Sequence, residues 1–183
     1  MTVELIRQAQ AGDHAAFETL ATAGYERLYG IAYRILRNRE AAEDATQDAL
    51  VRCWRDLRGL REPDRFEAWL HRLVVNACRD LTRRGRRRPQ ETYGAPIDAR
   101  AAGDAYRQIA DHDELERAFT LLPGDQRIAL VLTHYVGYSA PEVARILDVP
   151  TGTVYSRLHY GARAMREALA GSAAAPTASE PVR

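Results

Sequence analysis

The sequence predicts an all-α protein of two small helical domains joined by a flexible linker, the second domain containing a helix-turn-helix. Three observations predict this fold: apolar residues recur at helical spacing, strand-like alternation is absent, and a stretch rich in Arg, Pro, Gly and Ala interrupts the helices. We therefore expect one domain at residues 1–84, the linker at 85–110 and a second domain at 111–170. The tail at 171–183 has no apolar face and is expected to be disordered.

The apolar pattern places helices throughout both domains, with ends good to about 2–4 residues. They are expected at residues 3–10, 14–37, 39–58, 65–84, 112–121, 125–136, 140–148 and 152–169. The stripe expected to be buried in the third helix has the spacing i, i+3, i+4, i+7 and consists of Leu50, Cys53, Trp54 and Leu57. Cys53 and Cys78 lack the spacing of a metal-binding pair, so we expect two buried free thiols and no metal site.

The composition is that of a soluble globular protein, with 46% hydrophobic and 28% charged residues in 183. No apolar run is long enough to span a membrane, and the acidic, amphipathic N-terminus does not resemble a signal peptide. We therefore expect a cytoplasmic protein without membrane insertion. All 26 basic residues are arginine and the net charge is only +1, so the positions of the arginines are more informative than their number.

Residues 139–165 have the pattern of two helices separated by a tight turn. Ser139 and Glu142 have the spacing of a capping box, and Pro141 suits a first helical turn. Thr151 can cap the next helix. The apolar stripe of that helix consists of Val154, Leu158 and Met165, and the opposite, polar face of Ser156, His159, Tyr160 and Arg163. This arrangement is typical of a helix-turn-helix that reads DNA; the alternative is an ordinary helical hairpin with a solvated face.

Two surfaces of the first domain are candidates for binding. The third helix carries a charged face opposite its apolar stripe, formed by Asp44, Asp48, Arg52 and Arg55. The apolar Val51 on that side favours a protein-binding surface over a plain solvated face. The fourth helix carries a cationic stripe of Arg72, Asn76, Arg79 and Arg83, which continues into Arg84, Arg86, Arg87 and Arg88. Arginines bind phosphate and an amide can pair with a base edge, so this stripe is a candidate for nucleic-acid binding.

A polar loop, GLREPDRF at residues 59–66, precedes the fourth helix. Such a loop can cradle an unstacked nucleotide or can be a plain connection, and the residues leave both interpretations open.

The linker also bears on DNA binding. A coil of its length spans about 25–30 Å on average and about 85 Å at most. Two helical turns of DNA span about 70 Å. The linker alone would therefore rarely hold two domains at DNA sites that far apart.

Three ordered segments resemble bacterial RNA polymerase sigma factors. They read EAAEDATQDALVRCWRDL, DRFEAWLHRLVVNACRDLTRRGRRR and LPGDQRIALVLTHYVGYSAPEVARILDVPTGTVYSRLHYGARAMREAL. The chain is most similar to the extracytoplasmic-function (ECF) subfamily of the sigma-70 family, which retains regions 2 and 4, and the resemblance extends over about residues 1–170. It implies a promoter-specificity subunit that binds core RNA polymerase and promoter DNA and promotes melting of the −10 element.

The resemblance also implies residue roles. The residues expected to bind the β′ clamp helices of core polymerase are Asp44, Gln47, Asp48 and Arg52. Those expected at the −10 element are Arg72, Asn76, Arg79, Arg83 and Arg84, with the loop at residues 59–66 taking a flipped base. Those expected at the −35 element are Thr153, Tyr155, Ser156, Arg157, His159, Tyr160 and Arg163. The β flap of the polymerase and an anti-sigma factor are the further partners implied, and no cofactor is implied.

The chain departs from the family pattern in the second domain. Asp148 stands where the turn usually has glycine, and Asp tolerates the left-handed backbone conformation better than most residues. Tyr155 stands where a basic residue is common, and a tyrosine can bond phosphate but cannot fork onto guanine. The alternative function is a stand-alone helix-turn-helix regulator that needs no core polymerase. An enzyme is not expected, since no phosphate loop, HExxH or CxxC is present, and the run Asp111–Asp113 fits an acidic helix start better than a metal site.

Overall fold

A computed structural model describes residues 2–87 and 115–173, and every regular element in these ranges is helical. The first domain contains α1 (Val3–Gln10), α2 (His14–Leu36), α3 (Arg39–Asp56) and α4 (Phe66–Arg87), with 3₁₀ turns at Leu57–Gly59 and Pro63–Arg65. The second contains α5 (described at 115–120), α6 (Gly124–Leu130), a π-helical turn (Val131–Tyr135), α7 (Ala140–Leu147) and α8 (Thr151–Ala173). The all-α fold of two helical domains is confirmed.

Two helices continue beyond their expected ends. The fourth helix runs to Arg87, into the stretch expected to be linker, and α8 runs to Ala173, into the expected tail. The residues just before the extensions are rich in Arg in α4 and in Ala in α8, and because both have high helix propensity each helix continues a few residues further without an apolar face. The rest of the expected linker, the run Asp111–Asp113 and the tail beyond Ala173 lie outside the described residues.

Side-chain caps fix where the helices of the first domain begin. The Asp13 carboxylate accepts the amide hydrogens of Ala15 and Ala16, which begins α2. The Asn38 side chain accepts the Ala41 amide hydrogen at 2.8 Å and begins α3. Each such bond satisfies an amide that has no partner within its own helix.

Alanines, rather than large side chains, line the buried face of α3. Ala42, Ala45, Ala49 and Cys53 follow one another along it, and all are 0% exposed. Small residues let α3 approach α2 and α4 closely, so Leu28, Ile31, Phe66 and Val74 of the neighbouring elements complete the core. Both cysteines are buried free thiols, as predicted, and burial raises the pKa of each to about 12.

The prediction that Trp54 belongs to the buried stripe is wrong. Trp54 is 36% exposed and packs its ring against His14 and Phe17, with centroid distances of 4.6 and 4.7 Å. Since the alanines centre the buried face of α3 on Ala49 and Cys53, Trp54 lies at its edge, over the N-terminal end of α2. The spacing of the large apolar residues alone did not locate this face.

The helix-turn-helix is formed by α7 and α8 as predicted. The Glu142 carboxylate accepts hydrogen bonds from the Ser139 amide and hydroxyl at 2.8 and 2.6 Å, which starts α7. Asp148 ends it in the left-handed conformation, with φ 54° and ψ 53°. Val143 and Val154, both 0% exposed, hold the two helices together.

The two domains are in direct contact, which the sequence did not predict. One continuous core includes buried residues of both, among them Ile31 and Ile35 of the first domain and Ile128 and Leu132 of the second. The π-helical turn packs on α2, and α7 packs on α4.

Candidate polymerase and promoter interfaces

The outer face of α3 presents acidic and apolar groups together. Asp44, Gln47 and Asp48 are exposed, and Val51 between them and the end of the helix is 65% exposed. The buried alanines fix this face outward, because they lie on the opposite side of the same helix. An exposed valine beside carboxylates is suited to a protein partner with basic and apolar groups.

Arg52, which was grouped with these residues, has a different environment. Its guanidinium lies 2.7 Å from Asp48 on α3 and 3.0 Å from Asp80 on α4. Burial disfavours its charge, but the hydrogen bonds to Asp80 and Asp48 raise its pKa above the usual value. Arg52 therefore fastens the outer face of α3 to α4 and orients the Asp48 carboxylate.

The cationic stripe on α4 is divided by exposure. Arg72, Arg83 and Arg84 are exposed and Asn76 is half-buried. The Arg79 side chain is only 20% exposed and lies 3.5 Å from the Asp125 carboxylate of α6. The exposed members can bind a phosphate backbone as they stand, whereas Arg79 is occupied by a group of the other domain.

The loop at residues 59–66 is tethered on one side. The Gln10 amide donates hydrogen bonds to the carbonyls of Leu57 and Leu60, at 3.0 and 2.7 Å. The second half, with Arg61, Glu62 and Asp64, is exposed. A loop that is anchored at its start and open at its end is a suitable surface for a base taken out of its stack.

The outer face of α8 is open along most of its length. Exposed members are Tyr155 (58%), Ser156, His159, Tyr160 (56%) and Arg163, and Thr153 is half-buried. Local bonds hold two of them: the Ser156 hydroxyl donates to the Gly152 carbonyl at 3.0 Å, and Arg163 pairs with Glu167 at 2.7 Å. The hydrogen bond to Glu167 raises the pKa of Arg163. Aromatic and hydroxyl groups dominate the face, so few ionic contacts are available there.

Arg157 is the exception on α8. Its side chain is 19% exposed and lies 2.8 Å from the same Asp125 that faces Arg79. Sequence reasoning missed Asp125, whose pattern indicates only an acidic residue in the first turn of a helix. No spacing along the chain shows that it meets two arginines from separate helices.

Across residues 2–87 and 115–173, no cluster of three or more His, Cys, Asp or Glu could hold a metal ion. The helices described there include none that is long and apolar enough to cross a membrane.

Two family comparisons correspond to the two domains. Residues 20–88 match Sigma-70 region 2, and residues 112–165 match Sigma-70 region 4. The matches together cover more than half of the chain. This chain belongs to the sigma-70 family of sigma factors. It falls in the ECF group, because curated relatives that match over most of their length are ECF sigma factors.

Three relatives illustrate the similarity. The ECF RNA polymerase sigma factor SigM of Mycobacterium tuberculosis is 37% identical over 155 residues, covering 84% of this chain and 77% of that protein. The RNA polymerase sigma-H factor of Pseudomonas aeruginosa is 30% identical, covering 91% and 92%. The ECF RNA polymerase sigma-E factor of Escherichia coli K12 is 30% identical, covering 84% and 86%.

Two solved structures are similar to this sigma factor in fold. The sigma factor RpoE in complex with the anti-sigma factor NepR from Bartonella quintana gives a TM-score of 0.66 at 25% identity, covering 84% of this chain and 96% of that one. CnrH in complex with the cytosolic domain of CnrY gives a TM-score of 0.67 at 26% identity, covering 92% and 97%.

Proposed function

We propose that this sigma factor is a dissociable promoter-specificity subunit that binds core RNA polymerase in the cytoplasm, recognises −10 and −35 elements and promotes promoter melting. The observation that carries the proposal is the presence of sigma-70 regions 2 and 4, in that order, in one chain. The exposed faces of α3, α4 and α8 supply one surface for each of the three contacts. The subunit catalyses no reaction itself.

The polymerase contact is assigned to the outer face of α3. Asp44, Gln47 and Asp48 bind the β′ clamp helices, with Val51 as the apolar part of the contact. Arg52 acts by positioning Asp48, since its guanidinium already bridges α3 and α4. The second domain meets the β flap.

The promoter contacts are assigned to α4 and α8. Arg72, Arg83 and Arg84 follow the backbone of the melted −10 strand. Binding to that backbone requires cationic side chains, and the release of counterions from the phosphates increases its affinity. Asn76 pairs with a base edge, and the loop at residues 59–66 holds a flipped base. The outer face of α8 enters the major groove at the −35 element, where Tyr155, Ser156 and His159 make neutral contacts.

An anti-sigma factor is the proposed regulator. The two similar solved structures are sigma factors bound to anti-sigma factors. Such a partner restrains this chain by covering its polymerase-binding face. Equal activity of this sigma factor in cells with and without such a partner would contradict this proposal.

Run-off transcription with purified core polymerase and a promoter library tests the function directly. We expect specific initiation from promoters with related −10 and −35 elements, and specific promoter binding only when core polymerase is present, because core holds the two weak DNA contacts together. The alternative, a stand-alone helix-turn-helix regulator, requires tight binding to a specific duplex without polymerase. A gel-shift result of that kind, with no transcription, would replace the proposal by the alternative.

A further inference from the structure

The loop assigned to the flipped base is held at both of its ends. At its start, the side-chain amide of Gln10 donates to the carbonyls of Leu57 and Leu60, at 3.0 and 2.7 Å. At its end, Phe66 is 1% exposed and enters the core of the first domain as the first residue of α4. The stretch that projects between these two fixed points is therefore short, at residues 61–65.

The helix that supplies Gln10 is itself fixed in the first domain. Ile6 and Ala9 of α1 are 2% and 3% exposed, whereas Gln10 at the end of the helix is half-buried. The chain then turns at Gly12, whose φ of 101° suits glycine, and a Cβ atom there would lie 3.2 Å from the guanidinium of Arg58. Helix α1 also packs on both 3₁₀ turns that flank the loop. It therefore forms a platform whose position does not depend on DNA.

The bonds inside the loop are of much shorter range. The Leu60 amide donates to the Leu57 carbonyl at 3.1 Å, and the Arg65 amide donates to the Glu62 carbonyl at 3.0 Å. The side chains of Glu62 and Arg65 also form an ion pair at 2.7 Å, which is exposed and contributes little to stability. The bonds from Gln10, in contrast, join residues 47 and 50 positions apart in the chain. They fix the loop relative to the rest of the domain, which bonds between loop neighbours do not.

We propose that Gln10 is a positioning residue for the base taken out of the −10 element. Its amide holds the start of the loop, so that residues 61–65 are already in place when the base arrives. Gln10 itself does not contact DNA, because its amide hydrogens are used by the two carbonyls. A loop that is ordered before binding loses less conformational entropy when the base enters and discriminates better against a base that does not fit. The tether is a property of the free chain, whereas its consequence for the −10 element rests on the proposed function.

Amide hydrogen exchange in the full chain without polymerase tests the tether. Gln10→Met keeps the length and helix propensity of the side chain but removes the donor. We expect the Leu60 and Arg65 amides to exchange about tenfold faster in this variant, because the loop opens more often. Gln8→Met makes the same change at an exposed position of α1 and should leave both rates unchanged. Unchanged rates in Gln10→Met would overturn the tether.

Run-off transcription with core polymerase tests the effect on base recognition, using templates that carry each of the four bases at each −10 position. Arg61→Ala with Asp64→Ala identifies the position that the loop reads, as the one where base preference is lost. Gln10→Met should reduce the preference at that same position by about fivefold, the effect of ordering one or two more side chains on binding. Preferences elsewhere in the element, and all preferences in Gln8→Met, should stay as they are.

The ratio between templates separates positioning from a general effect on stability. A smaller fraction of folded protein lowers initiation on every template by the same factor and leaves the base preference unchanged. A uniform loss of this kind in Gln10→Met would therefore overturn the positioning role. A loop variant that alters no base preference would overturn it as well. Failure of the unchanged chain to initiate on any template would contradict the proposed function and the promoter role of Gln10 with it, while the exchange rates alone decide the tether.

Discussion

The two domains differ in how far each depends on the other. The first buries α2, α3 and α4 against one another, with Ala42, Ala45 and Ala49 fully enclosed within that domain. The second is smaller, and its π-helical turn and Arg127 use the surface of α2 as part of their packing. The comparison indicates that the first domain is stable by itself and that the second is stabilised by its contact with the first. Small domains bury less of their surface, which makes such support significant.

Matched leucine-to-alanine substitutions, one in each domain, test this dependence with the largest expected effect. Leu28→Ala and Leu132→Ala each remove a leucine that is at most 1% exposed, at a cost of about 2–5 kcal/mol. We expect Leu28→Ala to lower the unfolding midpoints of both domains, because the second rests on the first. Leu132→Ala should lower only that of the second. Urea denaturation followed by amide hydrogen exchange in each domain separates the two, and a symmetrical response would contradict the dependence.

The proposed binding faces provide a functional version of the same comparison. Asp44→Ala with Asp48→Ala should weaken core polymerase binding by about tenfold to a hundredfold. Truncating side chains at the centre of an interface has an effect of that size on affinity. Ser156→Ala with Arg163→Ala should leave core binding unchanged and reduce initiation at −35-dependent promoters. Pull-down with core polymerase and run-off transcription measure the two effects, with circular dichroism to confirm unchanged helicity. Loss of core binding in the α8 variant would show that the polymerase contact has been assigned to the wrong domain.

Acid should act on the contact between the domains before it acts on either core. His71 of α4, 3% exposed, lies 2.8 Å from the Tyr138 hydroxyl of the second domain through its Nδ1 atom. Burial, with a smaller contribution from Arg27, lowers the pKa of His71 to about 4. The unfolded chain takes up a proton near pH 6.5 while the folded chain does not, so stability falls as the pH drops from about 6.5 to about 4. The expected loss at pH 5 is about 2 kcal/mol.

Thermal unfolding at pH 7.5 and pH 5 measures this loss. His71→Gln should flatten the dependence in that window, and His159→Gln, which alters an exposed histidine of α8, should leave it as it is. A dependence that persists unchanged in His71→Gln would show that another group titrates at the interface.

Local signals in the sequence were sufficient for most of the fold. The capping box at Ser139, the break at Pro150 and the periodicity of α7 and α8 predict the helix-turn-helix because each depends on neighbours in the chain. Trp54 was misplaced since the alanines that define the buried face of α3 give a weak hydrophobic signal. The contacts of Asp125 and Gln10 were missed because their partners lie far away in sequence. The charge pattern and Val51 marked the exposed faces of α3, α4 and α8 as candidates for binding, and the family resemblance supplied a partner for each face. Periodicity alone indicates only a solvated side.

The smallest expected effect concerns the described non-glycine residues with left-handed backbone, Arg37 and Asp148, with φ of 58° and 54°. Asp148→Gly should relieve strain in the turn and stabilise the second domain by about 0.5 kcal/mol, since the relief is partly offset by the entropy of glycine in the unfolded chain. Arg37→Gly should give no such gain, because the same relief is cancelled by loss of the ion pair with Glu116 and of the contact with the Tyr33 ring at 5.1 Å. Urea midpoints of the two variants measure the difference. An equal gain at both positions would show that the Arg37 side chain contributes nothing to holding the second domain on the first.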